Sequence, residues 1–448
     1  METLADELIE ARWVLPVAPW QVIERGAVAV RDGRIVAVGP AAELAERVVA
    51  TRHTRLLDHV LLPGLVNAHA HAGMTLLRGY ADDQPLMRWL HESIWPAEAR
   101  WVEPGFVHDG TRLACAEMLR GGVTTVSDMY FFPDAAISAA QRAGIRMVAG
   151  LVVLEFATAY ARDAAAYLHA GLAVRDRWVG ARNLHFTLAP HAPYTVADST
   201  FIEIATYAAQ LDLRVHIHLH ETQDEIAQGL AQTGERPLAR LRRLGLLGPE
   251  LIGVHAVHLL DEEIALLAEH GAALVHCPAS NLKLGSGIAR LADWLAAGVT
   301  VGLGSDGVAS NNRHDLFAEM RFAALLAKGV SGDAAAVPAQ QALTAATLGG
   351  ATALGLGDEI GSLTPGKAAD LIAVSLAGAD QQPVFDPVSQ LVYCAGREQV
   401  SDVWVAGERR VAEACLQTDD ERELRALAAD WQLRIAGQAH LNRNESNA

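Results

Sequence analysis

LLPGLVNAHAH, residues 61–71, is an apolar run that closes on two histidines one residue apart. In an extended strand, residues i and i+2 project from the same face, so His69 and His71 can reach one ion. Seven further runs of similar texture follow: VTTVSDM (123–129), IRMVAGLVV (145–153), LHFTLAPHAP (184–193), LRVHIHLHET (213–222), LIGVHAVHL (251–259), AALVHCPAS (272–280) and VTVGLGSDG (299–307). Most are separated by stretches rich in Ala, Leu, Glu and Arg. Strands alternating with helices imply right-handed crossovers and a parallel sheet. Eight such units over about 250 residues predict an α/β chain built on a closed (β/α)8 TIM-type barrel. A doubly wound sheet is the competing architecture, but no GxGxxG follows a first strand, so a dinucleotide site has no support.

Either side of the barrel the texture is β-rich. AVAVRDGRIVAVGP (27–40) places two short apolar runs around Arg31-Asp32-Gly33, a hairpin signal. ADLIAVSL and VSDVWVAGERRV bring the same texture back after Gly366. Residues 1–60 and 367–448 are therefore expected to supply the two halves of a small β-sandwich domain flanking a barrel over 61–366. The stretch from Asp419 has helical spacing and is expected to form a terminal helix.

The composition narrows the function classes. With 36 Lys+Arg against 53 Asp+Glu the formal charge is −17, which disfavours nucleic acid or an anionic membrane as partner. Four cysteines without a CxxC pair argue against a disulfide framework or a cysteine zinc site. The start lacks the basic and apolar regions of a signal peptide, and no run reaches the ~18 apolar residues of a membrane span. A cytoplasmic protein is expected.

Polar residues gather at the C-terminal ends of the predicted strands, the catalytic mouth of such a barrel. His69 and His71 end the first strand. The fifth carries His216, His218, His220 and Glu221, the sixth ends at His255 and His258, and the eighth ends at Asp306. Imidazole with carboxylate is a borderline-soft donor set suited to Zn²⁺, with Fe²⁺ or Mn²⁺ as alternatives. A lone strand-end histidine is most often a hydrogen-bonded core or surface residue. Convergent donors on four strand ends are not explained that way. Periodicity alone leaves open which fifth-strand histidine is the ligand. Of the three lysines (Lys283, Lys328 and Lys367), none lies near the fourth strand's end, Pro190-His191-Ala192-Pro193, where a carbamylated lysine would bridge two metals in related barrels. One metal ion is expected.

LPGLVNAHAH, HLHET (218–222), NLKLGSG (281–287), SDGVASNN (305–312) and GSLTPGKAADLIAV (361–374) together make the chain resemble the amidohydrolase superfamily. WPAEA (95–99), VLEFATAYARDA (153–164) and APHAPYT (189–195) resemble its 5-methylthioadenosine/S-adenosylhomocysteine deaminases and their chlorohydrolase relatives. The resemblance implies His69, His71, His218 and Asp306 as metal ligands. It selects His218 with Glu221 from the fifth strand, leaving His216 deeper in the barrel. It puts His255 beside the reacting water, Asp306 as proton acceptor and Glu221 as proton shuttle and substrate contact. Glu98 would hold ribose hydroxyls and His191 would touch substrate. Arg162 falls where some relatives place an arginine facing a homocysteine carboxylate, and Gly150 stands where some carry another. Trp89, Trp95 and Met87 are candidates for an apolar lid.

The implied reaction is hydrolytic deamination of an adenine nucleoside: 5′-methylthioadenosine, S-adenosylhomocysteine or adenosine. The ion would lower the pKa of water from about 16 toward about 7 to supply the nucleophile. A triazine chlorohydrolase or guanine-type aminohydrolase could use the same donor set, and a non-catalytic barrel would be expected to have lost some of it. The expected partner is a small nucleoside, with a homo-oligomer as the expected assembly.

Overall fold

The computed structural model describes residues 3–445, with side chains described to residue 437. It contains two sheets of eight strands each. The chain begins in the smaller layer with β1 (Thr3–Val14), β2 (Ile23–Arg31), β3 (Arg34–Pro40) and β4 (Val48–Pro63). The barrel follows: β5 (Leu65–Ala70), β6 (Val123–Asp128), β7 (Arg146–Val153), β8 (Leu184–Pro190), β9 (Arg214–Leu219), β10 (Leu251–His255), β11 (Ala273–His276) and β12 (Thr300–Leu303). The chain then returns to the first sheet as β13 (Leu371–Ser375), β14 (Val400–Val405), β15 (Glu408–Ala412) and β16 (Cys415–Leu416).

The second domain's strands run in the order β16-β15-β14-β13-β4-β1-β2-β3. β13 joins the two ends of the chain by pairing antiparallel with β4, Leu371 opposite Pro63. The hairpin read at Arg31-Asp32-Gly33 is present between β2 and β3. Its two central residues have φ of 50° and 74°, the left-handed pair that a tight two-residue turn needs and that Asp-Gly readily adopts.

All eight barrel strands are neighbours in sequence order, each parallel to the next. β5, β6 and β7 are buried along their whole length, as expected for parallel strands covered on both faces. The ring is completed between β5 and β12 by individual bonds. Asp306 N donates to His69 O at 3.0 Å. The Asn67 side chain exchanges two bonds with Ser305, donating from Nδ2 to Oγ at 2.8 Å and accepting at Oδ1 from the backbone N at 2.9 Å.

The first predicted strand differs in one respect. Residues 61–63 belong to β4 in the first sheet, and the chain changes sheets at Gly64. Gly64 N donates to Asp370 O at 3.0 Å, and a Cβ there would stand 2.0 Å from Thr124 Oγ1, so only glycine passes this point. The same junction holds a buried ion pair, Arg146 Nε to Asp370 Oδ2 at 3.0 Å, with the guanidinium also 2.5 Å from Glu359. Removing either partner of such a pair strands a buried charge, a change that typically costs several kcal/mol.

Among the described residues, no helix is long and apolar enough to cross a membrane. All four cysteines are free thiols.

Gly304 sets how closely β12 approaches β5. A Cβ added there would lie 2.9 Å from both Cβ and O of His69 and 3.0 Å from Cys277 Sγ. Gly304→Ala is expected to lower stability by about 1–3 kcal/mol through overpacking, and to weaken metal binding by forcing Asp306 away from His69. Gly248→Ala, where a Cβ meets nothing within 4 Å, should change neither. Equal unfolding midpoints and metal contents for the two variants would refute this.

Candidate metal centre and active-site pocket

Three strand ends bring four donors together. His71 Nε2 lies 3.1 Å and His69 Nε2 3.4 Å from Asp306 Oδ1, and His218 Nε2 lies 3.3 Å from His69 Nε2. The donors form two triads that share His69, one with His71 and Asp306 and one with His218 and His255, and their three closest pairs match the spacing of about 3.3–3.4 Å between ligand atoms of a tetrahedral ion with bonds of about 2.0–2.1 Å. His255 offers a nitrogen within 4.8 Å of those of His69 and His218, a looser approach. Buried donors at this spacing repel as lone pairs unless a proton or cation lies between them, and three imidazoles with one carboxylate form a divalent-ion set.

The atoms around these donors fix their orientation. His71 Nδ1 bonds to Met129 O at 2.5 Å and His218 Nδ1 to His191 O at 2.7 Å. A carbonyl only accepts, so each imidazole carries a proton on Nδ1, which leaves Nε2 as the atom that turns inward. His69 Nδ1 instead meets His216 Nε2 at 2.9 Å. Asp306 Oδ2 accepts from Ser280 Oγ at 2.6 Å and Ser310 Oγ at 2.7 Å, leaving Oδ1 to face the histidines. Burial opposes charge on Asp306, but hydrogen bonds from His69 and His71 outweigh it and hold the carboxyl well below the usual range.

The backbone turns sharply at these strand ends. Asp306, His255 and His220 have φ of 57°, 70° and 53°. Left-handed conformation costs a non-glycine residue about 1–2 kcal/mol. Such strain concentrates where a fold has to aim a side chain.

Glu221 follows β9, and burial pushes its pKa above the ordinary carboxylate value, against the opposing charge of His255. Its Oε1 accepts from Ser286 Oγ at 3.3 Å, and its Oε2 is 3.9 Å from His255 Nε2. Not every expected neighbour belongs to this cluster. His220 Nε2 accepts from Leu238 N at 3.0 Å, and His258 Nε2 bonds to Ser286 O at 2.8 Å, so both knit loops together.

A cavity of 590 Å³ opens over the donors. His71, His218, Glu221, His255 and Asp306 line one part of it, and Glu98 and His191 also face it. Most of the remaining wall is apolar, including Leu86, Trp89, Leu90, Ile94, Trp95 and Phe156. Trp95 meets Phe156 with ring centroids 5.6 Å apart. Met87 lines a neighbouring groove instead. Burial raises the Glu98 pKa to about 7, opposed by a hydrogen bond from Tyr130 Oη at 2.7 Å. Tyr130, pushed far above its usual range by burial, stays a donor. Burial drops His191 to about 3, so that ring is neutral, and its Nδ1 bonds to Thr195 Oγ1 at 3.0 Å.

Arg162 is not in this wall. Its side chain is 87% exposed, with Nε 3.1 Å from Asp163 Oδ2. It follows a loop that turns outward before the helix Ala164–Trp178, whose N-cap is Asp163. Among the described residues, no lysine or arginine lines the cavity.

Sequence reading passed over Asn67, Tyr130, Ser280, Asn281, Ser305 and Ser310. Ser305 and Ser310 lie within SDGVASNN and Asn281 within NLKLGSG. Hydroxyls and amides are too common in loops for their type alone to mark them.

The profile of the Amidohydrolase family matches residues 60–410, and that of a bacterial imidazolonepropionase-like composite domain matches residues 26–47. A protein of Teredinibacter turnerae named 5-methylthioadenosine/S-adenosylhomocysteine deaminase is 46% identical over 434 residues, 97% of this chain and 98% of the relative. The crystal structure of an adenosine deaminase from Xanthomonas campestris with bound zinc superposes with a TM-score of 0.96 at 48% identity, covering 98% of this chain and 100% of that one. An atrazine chlorohydrolase from Arthrobacter aurescens complexed with zinc reaches 0.89 at 26% identity, covering 95% and 99%.

The double variant Ser280→Ala/Ser310→Ala frees Asp306 Oδ2. It is expected to weaken Zn²⁺ binding about 10–100-fold, the usual effect of removing the partners of a ligand, as read by competition with a chromophoric chelator. Undiminished affinity would show that the two hydroxyls do not hold the carboxylate for the ion.

Proposed function

Since this chain belongs to the amidohydrolase family, we propose that it hydrolytically deaminates a 5′-substituted adenine nucleoside, releasing ammonia, with one divalent ion, Zn²⁺, at the four-donor site. The observation that carries this reading is that a single pocket holds two separate polar features between apolar walls. One is the donor cluster with Glu221. The other is the Glu98–Tyr130 pair, a carboxylate suited to accept both hydroxyls of a ribose. The deaminase names of the relatives point the same way, and a triazine would have no use for Glu98.

An ion held by His69, His71, His218 and Asp306 would bring the pKa of water toward about 7 and so supply the nucleophile at neutral pH. The chain's own groups account for the rest. His255 turns toward the same space and orients the attacking oxygen. Ionised Asp306 takes up the proton that this oxygen sheds. Glu221, whose proton affinity burial raises, donates its proton to the ring nitrogen as carbon 6 is attacked; the proton taken up by Asp306 passes to the amine, and as ammonia leaves the new hydroxyl returns a proton to Glu221. Neutral His191 offers a hydrogen bond to the base without adding charge. The apolar walls exclude competing water and fit a thioether.

The absence of a cation from the wall bears on the 5′ substituent. A methylthio group finds apolar partners there, whereas a homocysteine carboxylate would be desolvated without a counter-charge. With zinc-loaded enzyme, ammonia release is expected to favour 5′-methylthioadenosine over S-adenosylhomocysteine by at least about tenfold in kcat/KM, roughly 1.4 kcal/mol. Glu221→Gln should lower kcat by about 10²–10⁴ while keeping its metal. Full activity in that variant would remove Glu221 from the chemistry.

Glu98 gives the pH dependence. Its carboxylate form accepts from both ribose hydroxyls, and a proton on it displaces one of them. The kcat/KM for nucleosides is therefore expected to fall as pH drops through about 7. Glu98→Gln should remove that limb and raise KM for nucleosides while leaving free bases little affected. Equal losses for nucleosides and free bases would count against a ribose site.

A further inference from the structure

We propose that Asn281 is a positioning residue that sets the tautomer of His255, so that this imidazole presents a bare Nε2 to the reacting oxygen. The inference rests on the deaminase reading for its kinetic consequence, though not for the tautomer itself.

His255 Nδ1 lies 2.9 Å from Asn281 Oδ1. An amide oxygen only accepts, so the bond needs a proton on Nδ1, and a neutral imidazole then has none on Nε2. Two other strand-end histidines of the site follow the same rule. His71 and His218 each bond through Nδ1 to a carbonyl oxygen, those of Met129 and His191. His255 differs in one respect: its carbonyl belongs to a side chain and can be removed by mutation without touching the backbone.

Asn281 reaches His255 through Oδ1, while its Nδ2 is buried without a hydrogen-bond partner. It is 1% exposed and sits in the short helix Pro278–Lys283. Its backbone N donates to Cys277 O at 3.1 Å, and its backbone O accepts from Ser286 N at 2.9 Å. That second bond ties Asn281 to the residue whose hydroxyl contacts Glu221. The two groups flanking the reacting centre are thus set from one loop. His255 and Ala256 carry φ of 70° and 45°, a strained turn at the end of β10 that aims the ring into the pocket. Nε2 stands 3.9 Å from Glu221 Oε2, beyond direct hydrogen-bond reach, so the bare nitrogen has no protein donor there. It is free to accept from the reacting oxygen, which must shed a proton to attack. The opposite tautomer would offer that oxygen a donor and compete for the lone pair the reaction needs.

The test pairs a spectroscopic readout with kinetics. In enzyme labelled with ¹⁵N-histidine, with His255 assigned by its loss in His255→Gln, the resting protein should show Nδ1 as protonated and Nε2 as bare. Asn281→Ala should show mixed tautomers. It should lower kcat for 5′-methylthioadenosine about 10–100-fold, with KM within about twofold and metal content unchanged. Asn281→Asp, which keeps an acceptor oxygen at the same place, should recover most of kcat. A wild-type His255 protonated on Nε2 would overturn the proposal whatever the activity. So would an Asn281→Asp variant no better than Asn281→Ala, or a loss of kcat that merely follows loss of metal. Wild-type enzyme silent on every adenine nucleoside, with the tautomer as stated, would fault the deaminase reading and leave the Asn281 assignment standing.

Discussion

Three imidazoles and a carboxylate are linked by three contacts of 3.1–3.4 Å, His71 and His69 to Asp306 and His218 to His69, in a place where none can be fully hydrated. Without a shared cation this is a cost, since lone pairs face lone pairs and a carboxylate is removed from water. Much of the barrel is arranged to hold that expensive geometry. β5 and β12, the first and last strands of the ring, meet through Asn67, Ser305 and the bond from Asp306 N to His69 O. The same bonds that close the ring set the distance between two ligands and the third. Gly304 permits that approach by having no side chain.

Around this centre the chain keeps a consistent division of labour. The Asp306 carboxyl accepts from two serines and lies beside two histidines, and the imidazoles of His69, His71 and His218 are held by carbonyls or by His216. Glu221 and His255 have fewer side-chain partners. Glu221 has one serine hydroxyl on its side chain, and His255 has one amide. Burial raises the proton affinity of Glu221 and Glu98 for the same reason, in two parts of one cavity, and the surroundings assign them different work. Near the donors a carboxyl can relay protons, whereas beside Tyr130 it is placed to accept from hydroxyls.

A good share of this was legible from residue order. Eight apolar runs with helical spacers announced a barrel because a parallel strand buried on both faces is a nearly continuous apolar stretch. The ends of those runs announced the site because histidines and carboxylates gather there. His69, His71 and Asp306 stood out on that ground. The limits were equally physical. Three histidines on one strand, His216, His218 and His220, share a face by periodicity, yet each has a different partner: His69, the backbone of His191, and Leu238 N. Period 2 reports a face and says nothing of depth. Arg162 was placed by a loose likeness in a loop, and loops carry no period to hold a side chain to a direction.

By itself, then, the amino-acid order determined the elements, their parallel arrangement and the chemical types of the ligands, because these follow from local spacing and from which residues can be buried. The tertiary structure alone decided which oxygen of Asp306 faces the histidines, that Asn281 bonds to His255, that Tyr130 reaches Glu98, and that Arg162 points to solvent. Each of these depends on residues distant in the chain meeting within a few ångströms, and no local pattern encodes such a distance.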